Sequence, residues 1–207
     1  TAVVRSIAAY RGQTLSQESL FPYVQISEAY AHGTPSGIDA WTVSSASPLQ
    51  FTKGQLPEVF PSNHPLHMVI ADTGVAGDTA MAVARVRALV EDHPELGQKV
   101  LNAMEALTNQ ARQAMIKGDD AWLGEIMNKN QSYLRALGVS SDRLEMLIQI
   151  AHQGEALGAK LTGGGLGGCM IALAKDFDHA LHIAKALHRG KARQVWLASE
   201  ERSRSYA

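Results

Sequence analysis

Apolar residues recur every three or four positions along most of this chain, and glycine and proline mark the gaps between the runs. Val3, Val4, Ile7 and Ala8 share one helical face that stops at Gly12, which predicts a helix over 1–12. A second helix is predicted over 16–31, less regular because Pro22 falls inside it. Helical spacing returns over 78–91, 97–117, 119–137 and 141–153, as in Val100, Leu101, Met104, Leu107 and Ala111, or Leu144, Leu147, Ile148 and Ala151. A last helix is predicted over 176–189. Met104, Met115, Trp122 and Met127 follow the same spacing and belong in the core or at its margin. Short apolar runs bounded by turn residues predict strands at 42–44, 49–51, 67–72, 169–174 and 194–197.

Gly54, Pro57, Pro61 and Pro65 make 53–65 read as a linker, so a boundary is placed there. The expected organisation is a first domain over 1–62, a second over 66–199 and a polar tail, 200–207, that frays. Strands and helices interleave without strict alternation. That predicts an α+β fold with helices on one side of a small sheet. The first residues, Thr1 to Ile7, read as the inside of a helix, so further residues are expected upstream of Thr1.

Composition narrows the function classes. Hydrophobic residues make up 45% of the 207 positions, ordinary for a globular protein with a core. A formal net charge of −1 gives no electrostatic footprint for nucleic acid or an anionic membrane surface. No apolar stretch approaches the ~20 residues that span a bilayer. The single cysteine, Cys169, cannot form an internal disulfide, which favours a reducing, cytoplasmic location. It opens an apolar strand and is expected to be an inert, packed thiol. His179, His182 and His188 share one predicted helix but lack the spacing of a zinc site and are expected at the surface.

Two segments carry candidate chemistry. Gly163, Gly164, Gly165, Gly167 and Gly168 stand between two strand-like segments, 158–162 and 169–174. Ordered glycine is entropically costly, so five in six positions need a reason. A loop whose bare N–H groups converge on a phosphate is favoured over a tight turn, which needs only one or two glycines. The spelling Gly163-x-Gly165-x-x-Gly168 matches a dinucleotide fingerprint, but a strand rather than a helix follows it, and no Gly-Lys-Ser/Thr makes it a Walker loop. The second segment is His32-Gly33-Thr34-Pro35-Ser36-Gly37-Ile38-Asp39. Asp39 suits a general base or a cation partner, and Glu28, eleven residues upstream, could join it around Mg²⁺. On composition alone the ordinary readings are favoured: Asp39 as a turn or cap residue, Glu28 as a solvated helix residue.

The segment 32–39 resembles the central signature of mevalonate kinases, in the GHMP small-molecule kinase superfamily. Lys160-Leu161-Thr162-Gly163-Gly164-Gly165-Leu166-Gly167-Gly168-Cys169 resembles that superfamily's C-terminal glycine motif, and Ala71-Asp72-Thr73-Gly74-Val75 with Thr79 resembles the segment between. The similarity is closest to the compact Gram-positive bacterial forms. It implies the remainder of a ribosomal-protein-S5-like N-terminal domain, followed by a ferredoxin-like C-terminal α/β sandwich. It further implies ATP- and Mg²⁺-dependent phosphorylation of the C5 hydroxyl of mevalonate, with mevalonate and ATP as partners and a homodimer allowed. By position, Asp39 resembles the catalytic aspartate and Glu28 the Mg²⁺ ligand. His32, Gly33, Ser36, Thr79, Gly163, Gly164, Gly165, Gly167 and Gly168 would contact substrate or phosphates. The family's N-terminal lysine and glycine-serine ATP loop do not occur here, so the isolated 207 residues are expected to be inactive. A sister kinase for phosphomevalonate, homoserine or a sugar, and a non-catalytic binding module, are the competing readings.

Overall fold

The computed structural model describes residues 2–199 apart from 33–36, 46 and 63; in the second helix the side chains of residues 17, 18, 28, 29, 31 and 32 also lie outside the description. The tail 200–207 expected to fray lies outside the described residues. The chain forms two compact units, Thr1–Ser62 and Asn63–Ala207.

In the first unit, α1 spans Ala2–Tyr10, α2 Gln17–His32 and α3 Ile38–Ser44. A small antiparallel pair follows, β1 (Leu49–Gln50) and β2 (Glu58–Val59), with Leu49 opposite Val59. Leu20, Val24, Ala40 and Phe60 are buried at its centre. Two expectations change here. Residues 42–44, predicted as a strand from Thr42 and Val43, form the end of α3. The Trp41 ring stacks on Phe21 of α2 with centroids 4.3 Å apart and 28° between planes. The hydroxyls of Thr42 and Ser44 donate back to the carbonyls of Ile38 and Ala40, each at 2.7 Å. Tertiary stacking thus overrides β-propensity, which mainly measures fit to a sheet that is not there. The stretch read as a linker also contains β2, held by its pairing with β1.

The second unit begins with β3 (His67–Asp72). Four helices follow: α4 (Thr79–Asp92), α5 (Pro94–Lys117), α6 (Asp120–Ala136) and α7 (Asp142–Gln153). Next come β4 (Gly158–Thr162), β5 (Cys169–Ala174), α8 (Phe177–Arg189) and β6 (Gln194–Ser199). Side chains cap four of the helices: Asp78, Asp119, Ser141 and Asp176 accept from the N–H groups of Met81, Trp122, Leu144 and His179. The strands make one antiparallel sheet in the order β4-β5-β3-β6, with Thr162 opposite Cys169, and Asp72 opposite both Cys169 and Gln194.

Helices do not lie on one side of this sheet. Three consecutive residues of β5, Ala172, Leu173 and Ala174, are fully buried, which requires cover on both faces. Ala172 and Ala174 join Val69, Ala71, Ala159, Leu161 and Met170 against Leu144, Leu147 and Ala151 of α7 and Ile183 and Leu187 of α8. Leu173 packs instead with Leu107 and Ala114 of α5 and Leu123, Ile126 and Met127 of α6.

Strand β4 is an outer strand, and α6 closes its free edge. The amide oxygens of Asn128 and Gln131 accept from the backbone N–H groups of Ala159 (3.0 Å) and Leu161 (2.9 Å). The helix comes this near because two glycines meet: a Cβ at Gly124 would stand 2.4 Å from the Leu157 carbonyl oxygen, and one at Gly158 would stand 2.4 Å from that of Gly124. Gln131 is buried, and its NH₂ donates to Glu145 Oε1 at 2.7 Å and Ser140 Oγ at 3.0 Å. The edge strand, α6 and the start of α7 thus share one amide. Gln131→Ala leaves the Leu161 N–H unpaired and should lower stability by about 1–3 kcal/mol. Gly124→Ala should cost at least as much, because backbone cannot give way as a side chain can. Urea denaturation checks both; a loss within experimental error for Gln131→Ala would show that water replaces the amide.

Candidate functional site

The candidate site in the second unit grows from the β4–β5 connection, residues 163–168. It joins two antiparallel strands through residues 163–168, a longer loop than the tight turn that the glycine count argues against, and its neighbours pack closely on it. Gly163, Gly165 and Gly168 have φ of 80°, 84° and 71°, a region that other residues enter at a cost. Leu166 also has positive φ, 60°, while its side chain packs against the core. Its N–H donates to the Val139 carbonyl at 2.7 Å.

The other side of the loop is held by the chain leaving β3. Gly168 donates its N–H to the Val75 carbonyl at 2.8 Å, and its own carbonyl accepts from the N–H of Thr73 (2.9 Å) and the Thr73 hydroxyl (2.7 Å). A Cβ at Gly167 would stand 2.7 Å from the carbonyl oxygens of both Val75 and Ala76. One at Gly164 would stand 2.5 Å from Thr79 Oγ1. Glycines 164, 165 and 167 therefore serve close approach, and 163, 165 and 168 serve backbone handedness. The structure brings Thr79 and the whole glycine run to one place. Gly163, Gly164 and Thr79 are exposed there, at the N-terminal end of α4. Loop N–H groups, the Thr79 hydroxyl and the positive end of a 14-residue helix suit an anionic oxygen.

Residues beside the loop have distinct states. Cys169 is half-buried, and its thiol is pushed up by burial and then by the neighbouring Asp72 carboxylate, so it stays protonated, as expected of an inert thiol. The Lys160 ammonium is pushed down to about 8 by burial; its Nζ donates to the Leu161 carbonyl at 2.7 Å.

In the first unit, Asp39 lies in the first turn of α3 and is exposed. Gly37 precedes that helix with φ 94°, and a Cβ there would reach the Phe21 and Phe51 rings at 3.8–3.9 Å. Glu28 lies on α2, seven positions after Phe21. The Glu28 and His32 side chains, and Gly33 and Ser36 entirely, lie outside the described residues.

Two side chains that support the site, and a histidine away from it, carried no local signal. Arg143 of α7 donates through Nε to the Thr73 carbonyl at 3.3 Å and through Nη2 to the Lys191 carbonyl, tying down the chain after β3. Arg85 donates to the Gly138 carbonyl at 2.9 Å, next to Val139. His179, expected at the surface, is half-buried: its Nδ1 faces the Lys175 N–H at 3.3 Å and its Nε2 the Gly154 carbonyl at 2.9 Å. The two contacts join α8's first turn to its neighbours. Among the described residues no group of three or more His, Cys, Asp or Glu side chains is placed to hold a metal, and no helix is long and apolar enough to cross a membrane.

Residues 111–192 match the family described as GHMP kinases C terminal. The mevalonate kinase of Aeropyrum pernix is 36% identical over 176 residues, covering 84% of this chain and 54% of that protein. Among solved structures, L. major mevalonate kinase in complex with R-mevalonate is 30% identical with a TM-score of 0.83, covering 90% of this chain and 59% of that one. Mevalonate kinase from methicillin-resistant Staphylococcus aureus is 31% identical with a TM-score of 0.69, covering 95% and 62%. The chain spans about half the length of the curated relatives it matches. Its α+β architecture of helices and antiparallel sheets matches the two-domain GHMP kinase fold. The expected leaning toward Gram-positive forms is not singled out: the similarity reaches archaeal and eukaryotic enzymes as strongly.

Two predictions follow from the loop and its lysine. Gly163→Ala meets open space and should cost about 1 kcal/mol for its positive φ, whereas Gly165→Ala also drives a Cβ to 2.3 Å from the Val139 oxygen and should cost roughly 3 kcal/mol or more. Equal losses in urea unfolding would show that Val139 does not hold the loop. For Lys160, the folded state binds fewer protons than the unfolded state between about pH 8 and 10.5, so stability should rise with pH across that window. Lys160→Met should flatten this rise relative to wild type; an unchanged slope would place the ammonium in water.

Proposed function

We propose that the polypeptide carrying this chain belongs with the mevalonate kinases of the GHMP superfamily. It would transfer the γ-phosphoryl group of ATP to the C5 hydroxyl of mevalonate, feeding isoprenoid precursor synthesis in the cytoplasm. The observation that carries this reading is identity of 33–38% to mevalonate kinases across 84% of the chain. The glycine loop packed on Thr79 supports it independently, because it gathers donors where phosphate oxygens would need them.

Phosphoryl transfer depends on positioning and charge stabilisation more than on covalent help. Asp39, exposed in the first turn of α3, would take the proton from the C5 hydroxyl as its oxygen attacks the γ-phosphorus. The N–H groups of Gly163 and Gly164 and the Thr79 hydroxyl would donate to phosphate oxygens, while Gly165, Gly167 and Gly168 keep the loop against its supports. His32, Gly33 and Ser36 would line the substrate. A carboxylate together with phosphate oxygens is a donor set that suits Mg²⁺, and Glu28 would hold it. When bound, the ion neutralises charge on the phosphate oxygens.

A coupled ADP-release assay on the full-length protein tests the reading, with mevalonate expected to be the preferred acceptor over phosphomevalonate, homoserine and galactose. Preference for another acceptor would make it a sister kinase. Asp39→Asn should lower kcat by well over tenfold, more than ~1.4 kcal/mol, with ATP binding kept. The 207 residues alone are expected to show no turnover.

A further inference from the structure

A buried polar atom in the first unit does nothing for the fold. The Gln25 side chain of α2 is half-buried, and its amide oxygen Oε1 is shut off from solvent with no hydrogen-bond partner among the described residues. An acceptor buried without a donor costs stability, and hydrocarbon of the same shape would avoid that cost. The surroundings suit hydrocarbon: the Phe21 and Phe51 rings reach the same spot.

The place of this oxygen is specific. Gln25 lies three residues before Glu28, about one turn along α2. It faces Gly37, which precedes α3 and stands two residues before Asp39. A Cβ at Gly37 would lie 3.8 Å from Oε1, 3.8 Å from the Phe51 ring and 3.9 Å from the Phe21 ring. The missing side chain therefore leaves room for one small group. Two of its three nearest neighbours there would be ring edges, and the third is the bare amide oxygen. A hydroxyl oxygen entering over Gly37 has to close about 1 Å to reach hydrogen-bond distance. The acceptor it meets carries no charge, so it suits a neutral O–H donor.

Counting donors identifies the group. On the kinase reading, on which this inference rests, the C5 hydroxyl of mevalonate gives its proton to Asp39. The mevalonate carboxylate only accepts hydrogen bonds. The C3 hydroxyl is the one donor left. We propose that Gln25 is a specificity-determining residue, whose Oε1 accepts a hydrogen bond from the substrate hydroxyl that is not phosphorylated. The amide is then paired when substrate is bound and unpaired when it is not, so its cost to the empty protein is offset by selection of the substrate.

The test uses the full-length protein in the coupled ADP-release assay, with mevalonate and with 5-hydroxy-3-methylpentanoate, which lacks only the C3 hydroxyl. Wild type should favour mevalonate in kcat/KM by about tenfold or more. Gln25→Met removes the acceptor and keeps an unbranched side chain. It should lower kcat/KM for mevalonate about tenfold or more, and leave the deoxy substrate within about threefold of wild type. Its Tm should equal or exceed that of wild type, because an unpaired buried acceptor is gone. A purely structural amide gives the reverse, a lower Tm with the same proportional loss on both substrates, and that result would overturn the proposal. A folded Gln25→Met enzyme that discriminates as wild type does would sink it too, while leaving the kinase reading intact. Absence of mevalonate turnover by wild type would end both.

Discussion

An outer strand with unpaired N–H groups must be closed by something, and in this protein two amides on α6 do it. Asn128 and Gln131 stand in for a neighbouring strand along β4. They reach because Gly124 and Gly158 let helix and strand backbones touch. Two of the segments around the glycine loop inherit their position from that contact. β4 delivers the chain into Gly163, and the end of α6 turns through Gly138 to place the Val139 carbonyl under Leu166. Gln131 then passes the constraint to α7 through Glu145.

The loop sits between three separately anchored pieces: the chain after β3, the start of α4, and the turn after α6. Each supplies a carbonyl or hydroxyl at a distance only glycine tolerates. This explains a density of glycine that neither a simple turn nor a phosphate cradle by itself demands. The two explanations are compatible. Close packing fixes the backbone, and a fixed backbone is what lets exposed N–H groups point at one place without reorganising. Arg143 and Arg85 contribute by holding Thr73 and Gly138, the roots of two of those pieces.

Most of the second unit was legible in its periodicity. α4, α6, α7 and α8 and strands β3 and β5 fall within a few residues of where the apolar pattern put them, the helices because each packs one face inward and the strands because turn residues bound their apolar runs. The first unit was less legible. Thr42 and Val43 carry strand propensity, yet the Phe21–Trp41 stack makes them helical. The sheet's two-sided cover was hidden too: Ala172, Leu173 and Ala174 read simply as an apolar run, and a run does not say how many faces are buried. His179 looked like a surface residue because its partners, Lys175 and Gly154, meet it only after α7 and α8 pack.

By itself the sequence determined what local rules can encode: where most helices start and stop, which short apolar runs are strands, and the unusual glycine run between two of them. Only the tertiary structure decided which of these meet. Thr79 touches Gly164 across 85 positions of chain, and Gln131 meets Leu161 across 30, because a hydrogen bond or a steric limit acts over a few ångströms of space and has no counterpart in sequence separation.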